Sequence, residues 1–575
     1  MTPTAPPAEG AVPSSAVWPA TAEPAGGKPV GGGAGEGAGG EARPPLGLVK
    51  HAVAFALSLF AAILSLWMFT RHIDFPITYH PDEKGKAQQL LTGHRNFRHP
   101  QLLLQSARLA AGAAGGVDDA RAAVLVGRWT SGALAAVAVF ALSLAAYASH
   151  GFVGLAVAGA AVMLCPPLHV YARYFKEETA LVAGVALSVL GARGVMSARG
   201  TGWQLAAAAL LGLGCAAAVS GKLVGMAVLL PAAAALVLAP GAGRWLSPGR
   251  CAAFGVASVS AVAGALLFNA PALSSVVPPV VSPEARAALW KEVEHGTTGH
   301  VGVTMDVPNT YVLRIAFSEL MPHLWIAAAW AASLLIMGRL TVGRWGGVLM
   351  LFLASFAVEL AFGRIPIPRY ALPVTVVAYY IAAEMTVAAC RAMKPRLAVP
   401  LIALALGAII VGQGGRCAAL AEQFRDDSRQ RLREWMARHV PAQAVIVAEA
   451  EALLGSGGDP WRHPHQAPLA LKFLSVRSPA EVHDTIFGLS RRGVEYVVIA
   501  EPRYQLFLDR ASRAIPGQEE QFDRHRRLYR ELLDHGDLVW ASIPPVPSHS
   551  YVNPELRVYR VKQAAVRATT GGTSG

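Results

Sequence analysis

The sequence predicts a polytopic α-helical membrane protein of about eleven spans, with a soluble α/β domain at its C-terminal end. Three observations predict it. Hydrophobic residues make up 53% of the chain and charged residues 15%, against roughly 25% charged in soluble domains. The shortage is local, because charges are sparse from 122 to 415 and dense from 418 onward. Apolar runs near the length of a membrane-crossing helix recur through the sparse region.

Taken in order, residues 1–45 are rich in Pro, Gly and Ala, so they bury too little surface to fold and are expected to be a disordered tail. No short apolar core follows a basic start, so no signal peptide is indicated. Candidate spans follow at 49–70, 122–148, 152–170, 179–197, 203–220, 223–240, 251–269, 318–338, 346–362, 370–390 and 397–415. Only Ser220, Gly221 and Lys222 separate the fifth from the sixth, which makes them a tight pair. A transmembrane domain is thus expected over 46–417, an extracytoplasmic α/β domain over 418–562, and a disordered end over 563–575. Within the tail, 419–439, 479–492 and 518–535 read as helices. Runs at 444–448, 496–500, 538–542 and 556–561 read as strands, and the alternation favours a small, mostly parallel sheet. The tail has no glycine-rich phosphate loop and no nucleophile elbow.

Basic residues orient the spans. With the N-terminus in the cytoplasm, the short cytoplasmic loops hold Arg193, Arg199, Arg244, Arg250, Arg339, Arg344, Arg391, Lys394 and Arg396, and no acid. The long loop 71–121 is expected outside although it carries several basic residues, since long loops weigh less. An odd span count puts the tail outside, with the chain in a cytoplasmic (inner) membrane. Apolar periodicity near 84–92 and 100–114 predicts short surface helices in that loop. A second long external loop covers 270–317.

The formal charge of +13 belongs largely to those loops, so it indicates a bilayer rather than a nucleic-acid partner. Cys165, Cys215, Cys251, Cys390 and Cys417 sit in or beside apolar runs with no CxxC, so no disulfide or zinc framework is read.

The first external loop contains Tyr79-His80-Pro81-Asp82-Glu83-Lys84 and then Arg98-His99-Pro100. A carboxylate at a membrane edge can take the proton of an attacking hydroxyl. Asp82 can equally cap the helix starting after Pro81, and the residues alone leave both roles open. Lys222 and Arg369 fall at span ends on that side, where a fixed cation can meet a negatively charged group. Arg173, Lys176, His99 and His300 are further candidates for sugar or phosphate contacts.

The order of these motifs resembles the GT-C glycosyltransferases, notably the protein O-mannosyltransferases, the aminoarabinose transferases of lipid A and their bacterial relatives. Asp82 and Glu83 after the first span, then His99 and Pro100, carry the resemblance. Residues 167–179, 216–225 ending near Lys222, and Arg369-Tyr370 followed by Pro373 extend it. It implies a GT-C-like fold with Asp82 as catalytic base and Glu83 in support. Glu178 (or Glu177) would be the second-loop acid, one methylene longer than the usual Asp. The donor would be a polyprenyl-phosphate sugar, the transfer inverting, and the acceptor a protein, lipid or glycan. No Asp-x-Asp is present, so no metal or other cofactor is indicated. The rival reading is a transporter or flippase of lipid-linked or small substrates. It would need ionisable residues within the membrane, and Glu359 and Glu384 are the main ones.

Overall fold

The computed structural model describes residues 46–76, 79–239, 247–273, 281–300, 302–318, 343–365, 367–441, 444–449, 485–545 and 552–561, with pieces within 328–335 and at 452 and 472–473. Among them, eight helices are long and apolar enough to cross a membrane, and the chain is a multi-pass integral membrane protein. Helix α1 is Leu46–Thr70. Two short helices follow in the first loop, α2 (Pro81–Thr92) and α3 (Leu102–Ala113), where periodicity places them. Helix α4, Ala120–Met163, contains the predicted span 122–148 and the first part of 152–170, which ends early at Met163; the two are joined at Gly151, whose φ of 62° reverses the chain without the penalty a side chain would bring. Then come α5 (Pro166–Tyr171), α6 (Glu178–Ser197) and α7 (Thr201–Gly221).

The predicted 223–240 helix is only partly α. Residues Leu223–Val228 form tight 3₁₀ turns before α8, Leu229–Leu238. Here the chain doubles back so closely on α7 that a Cβ on Gly225 would lie 2.2 Å from the Ala218 carbonyl oxygen. Helix α9 (Pro248–Phe268), the loop helix α10 (Pro283–Thr298), strand β1 (Val303–Met305) and α11 (Thr310–Ser318) follow. The expected span at 318–338 lies largely outside the described residues. The last apolar helices are Arg344–Phe362, Leu372–Arg391 and Pro395–Ala408.

The bundle is not evenly buried. Within their most apolar windows, α6 is 78% buried and Pro368–Arg391 83%, against 28% for α1 and 17% for α9. The first two are the centre, and the last two present apolar side chains such as Phe60 and Leu267 to lipid. Glycines make the centre tight. A Cβ on Gly184 would meet the backbone of Ala218 at 2.1 Å, and one on Gly221 that of Leu181 at 2.5 Å. This contact brings the end of α7 against the start of α6.

The tail begins with helices Gly414–Gln423 and Ser428–His439, so the single helix expected over 419–439 is broken. Asp427 breaks it, because the residue is extended and caps the second helix. The sheet has the order β3-β2-β4-β7-β6, with β2 at Val445–Ala448, β3 at Lys472–Phe473, β4 at Tyr496–Ala500, β6 at Asp537–Ser542 and β7 at Leu556–Arg560. Both β2 pairings are parallel, while β7 is antiparallel to its two neighbours. Four strands therefore run one way, and β7 alone opposes them.

The tail and both long loops meet at one end of the bundle. Strand β1 of the second loop pairs with β5 (Ser512–Ala514) of the tail, and Arg429 of the tail donates to the Tyr79 carbonyl of the first loop at 3.2 Å. The opposite end of α6 carries Arg193, and the opposite end of Leu372–Arg391 carries Arg391, which binds the His150 carbonyl.

Candidate active site

Helix α2 starts at Pro81, whose fixed φ suits a first helical position. His80, not Asp82, is its cap: the Asp82 N–H donates to His80 Nδ1 at 3.2 Å. The capping role that the sequence left open for Asp82 therefore belongs to its neighbour. Adjacent side chains on a helix diverge by about 100°, and Asp82 and Glu83 part company accordingly.

Glu83 is fully buried. It accepts from Arg128 Nε at 2.9 Å and Nη2 at 2.5 Å, and from the Phe175 N–H at 2.8 Å. It ties α2 to α4 and fixes the turn leading to Lys176. Asp82 turns into an open cluster. Its Oδ2 meets Lys176 at 2.5 Å and Arg369 Nη2 at 3.6 Å. Lys176 also lies 3.4 Å from Glu177, which pairs with Lys86. Glu178 Oε1 takes Lys222 at 2.9 Å and lies 3.1 Å from Arg369 Nε, and its Oε2 is buried without a hydrogen bond among the described residues. The Lys222 ammonium stands 3.6 Å above the Tyr370 ring, a cation–π contact.

Local structure explains the convergence. Glu178 opens α6, Lys222 ends α7, and each charge has the sign its helix end favours. Arg369 and Tyr370 lie in the 3₁₀ turn Pro368–Ala371, which feeds the buried helix Leu372–Arg391.

Four cations, Lys86, Lys176, Lys222 and Arg369, face three carboxylates, Asp82, Glu177 and Glu178, an excess of one positive charge. Burial alone would push the Asp82 carboxyl up, but Lys176, then His80, Arg369 and Lys86, hold it far below the usual carboxylate range. Burial and Arg369 pull the Lys176 ammonium down, and Glu177, Asp82 and Glu178 more than offset them, so it stays charged. Asp82 is also the open member, with 39% of its side chain exposed against 1% for Lys176 and for Glu178.

Beside the cluster is a cavity of about 350 Å³ whose walls include Lys222, Tyr370, His99 and Glu359. An apolar neighbour of about 320 Å³, lined by residues such as Val219, Val262 and Leu266, shares His99, Pro100 and Leu223 with it. Burial pushes the His99 imidazole down to about 3, and the ring lies 3.7 Å from Glu292.

The structure thus brings Asp82, Glu178, Lys222, Arg369 and Tyr370 together, with His99 on the adjoining wall. It places two candidates elsewhere. Arg173 binds the carbonyls of Met68 at 2.8 Å and Arg71 at 3.3 Å, together with that of His169, and so caps the end of α1. His300 sits 3.1 Å from His295, its ring pushed down to about 4 by burial and then by His295. Sequence reading missed Lys86, although it lies four residues after Asp82 and so shares a helix face with it. It also missed Arg128, whose charge inside an apolar span called for a partner. Glu384 is paired with His150 at 3.0 Å and Tyr380 at 2.8 Å. Among the described residues, no three His, Cys, Asp or Glu side chains converge as a metal site would need.

No protein-family model and no curated protein sequence matches the chain. Among solved structures it is similar to ArnT from Cupriavidus metallidurans bound to undecaprenyl phosphate, at 14% identity, covering 90% of this chain and 98% of that one, with a TM-score of 0.46. It is similar to the Archaeoglobus fulgidus oligosaccharyltransferase tethered with an acceptor peptide, at 10% identity, 89% and 74% coverage and a TM-score of 0.41. A third is the S. cerevisiae protein O-mannosyltransferase Pmt1-Pmt2 complex bound to the sugar donor, at 16% identity, 39% and 34% coverage and a TM-score of 0.33. All three are GT-C glycosyltransferases, the kind that the sequence motifs resemble.

Proposed function

We propose that the chain is a membrane glycosyltransferase that moves a sugar from a polyprenyl-phosphate carrier to a hydroxyl of a protein, lipid or glycan. The observation that carries this reading is a cluster with one surplus positive charge and one open carboxylate, set beside apolar cavities at one end of a membrane bundle. A phosphodiester carrier brings one negative charge, which matches the surplus.

The acceptor hydroxyl gives its proton to Asp82 while its oxygen attacks C1 of the sugar. The bond between C1 and the phosphate oxygen breaks, its electron pair stays on that oxygen, and configuration inverts. The phosphate leaves with two negative charges, and Arg369 and Lys222 meet the added charge. The charge of the carrier explains how Asp82 becomes a usable base. In the empty site Lys176, then His80, Arg369 and Lys86, hold its proton affinity too low for efficient transfer. A phosphate that draws Arg369 toward itself and brings its own negative charge close weakens that hold. Glu83 acts by position, through Arg128 and the Phe175 N–H. The tail-side end faces the extracytoplasmic space, in keeping with Arg193 and Arg391 at the other end.

The test is direct. Purified chain in nanodiscs is given undecaprenyl phosphate bearing a labelled sugar, together with a membrane extract as acceptor source. The proposal expects release of undecaprenyl phosphate and label on an acceptor. It fails if the labelled donor is recovered unchanged and no acceptor is labelled.

A further inference from the structure

The proposed chemistry leaves one half-buried acid on the cavity wall without work. Glu359 lies near the end of the helix Arg344–Phe362 and lines the 350 Å³ cavity, and its Oε2 is buried with no hydrogen-bond partner among the described residues. A polar atom withdrawn from water and left unpaired is costly, and native structures rarely keep one without a use. The other acid on the wall, Glu292, keeps 19% of its side chain exposed, so water can meet it, and lies 3.7 Å from His99. Lys222 stands on the same wall, and it belongs to the proposed phosphate site.

We infer that this cavity is the pocket for the donor's sugar, that it takes one sugar ring, and that Glu359 determines which sugar is accepted by hydrogen-bonding a ring hydroxyl. The inference rests on the proposed function and deepens it. Geometry supplies three supports. The phosphate cation Lys222 and the Tyr370 ring share the cavity wall, so a sugar joined to a phosphate at Lys222 enters the cavity directly. The volume of about 350 Å³ is at the lower end of ligand sites, which run to roughly 1,000 Å³. That is room for a monosaccharide. Most of the lining is apolar, with Leu223, Met226, Val312 and Leu360 among it, so each polar group on the wall carries weight in discrimination. A site built to hydrogen-bond a hydroxyl rejects ligands that leave its polar group unpaired.

Binding to the full-length chain in nanodiscs tests this with two kinds of probe. One is undecaprenyl phosphate alone. The other is a panel of the same lipid carrying a single hexose, pentose or N-acetylhexosamine, with a lipid-linked oligosaccharide beside it. Wild type should bind at least one monosaccharide lipid about ten-fold or more tightly than the bare lipid, the worth of one good polar contact. It should not prefer the oligosaccharide lipid. Glu359→Gln and Glu359→Ala should lose the preference for the sugar-bearing lipid and keep bare-lipid binding within about two-fold, which also shows that the variants fold. Lys222→Ala should weaken every probe. The inference is overturned if the Glu359 variants keep the sugar preference, if they weaken bare lipid equally, or if wild type prefers no monosaccharide lipid or favours the oligosaccharide. A wild type that binds none of the lipids, bare lipid included, overturns the glycosyltransferase reading itself along with the inference.

Discussion

Two buried charge clusters meet the first loop, and they differ in one respect. In the tail, Asp427 accepts from the Arg429 N–H, Nε and Nη2 and from the Asn553 N–H, at 2.6 to 2.9 Å. Arg429 in turn reaches the Tyr79 carbonyl and lies 3.8 Å over the Tyr79 ring. One charge answers one charge, and neither side chain is more than 2% exposed. Three residues beyond Tyr79, the Asp82 cluster holds a surplus cation, an exposed carboxylate and an unpaired Glu178 oxygen. The balanced pair is a joint. The unbalanced cluster is prepared for a charge that it does not itself contain.

Substitutions that break this contrast have ranked effects. Asp82→Asn should lower sugar transfer by about two to four orders of magnitude, the usual worth of general base catalysis, measured as turnover with saturating donor. It should still fold, because the side chain is not the helix cap, and its melting temperature should fall only as far as the lost pairing with buried Lys176 requires. Arg369→Ala should cost about a hundred-fold or more, and Arg369→Lys should retain part of the rate, since an ammonium replaces a fork. Full turnover in Arg369→Ala would remove that residue from the site.

The closed pairs should answer in stability. Arg128→Met leaves Glu83 buried and unpaired, and Asp427→Leu does the same to Arg429. Each should cost about 3–5 kcal/mol, seen as a lowered melting temperature in detergent. A stable Arg128→Met protein would show that Glu83 is not a joint of this kind.

The smallest effect is that of pH. The His80, His99 and His300 rings are held below their ordinary value of 6.5, mainly by burial. The unfolded chain therefore binds protons first, and stability should fall as pH drops below about 6.5. Asp82 and Glu177, held down by their lysines, contribute stability that is present above their unfolded values and lost below about pH 4. Melting temperature should thus fall in two stages on acidification. A rise on the way from pH 7 to 5 would contradict these assignments.

Much of this was legible in the sequence, because periodicity and apolar length are local signals. Helices α2 and α3, the break at Gly151 and strands β4 and β7 lie where pattern puts them. The cluster was legible only as separate residues. Asp82 meets Lys176 across 94 positions, and Lys222 meets Glu178 across 44. Arg128 and the tie of Arg429 to the first loop stayed hidden for the same reason, since Glu83 is 45 and Tyr79 350 positions away. Arg173 misled because an arginine in an external loop reads as a phosphate ligand, while its fold neighbours are carbonyls at the end of α1.

The central claim is that Lys222 and Arg369 hold the phosphate of a lipid carrier next to Asp82. A structure of the chain solved with undecaprenyl phosphate tests it most directly. The account predicts the phosphate within hydrogen-bond reach of both cations, with Asp82 no longer in contact with Arg369. A phosphate bound elsewhere, with the links between Asp82, Arg369 and Glu178 intact, would contradict it.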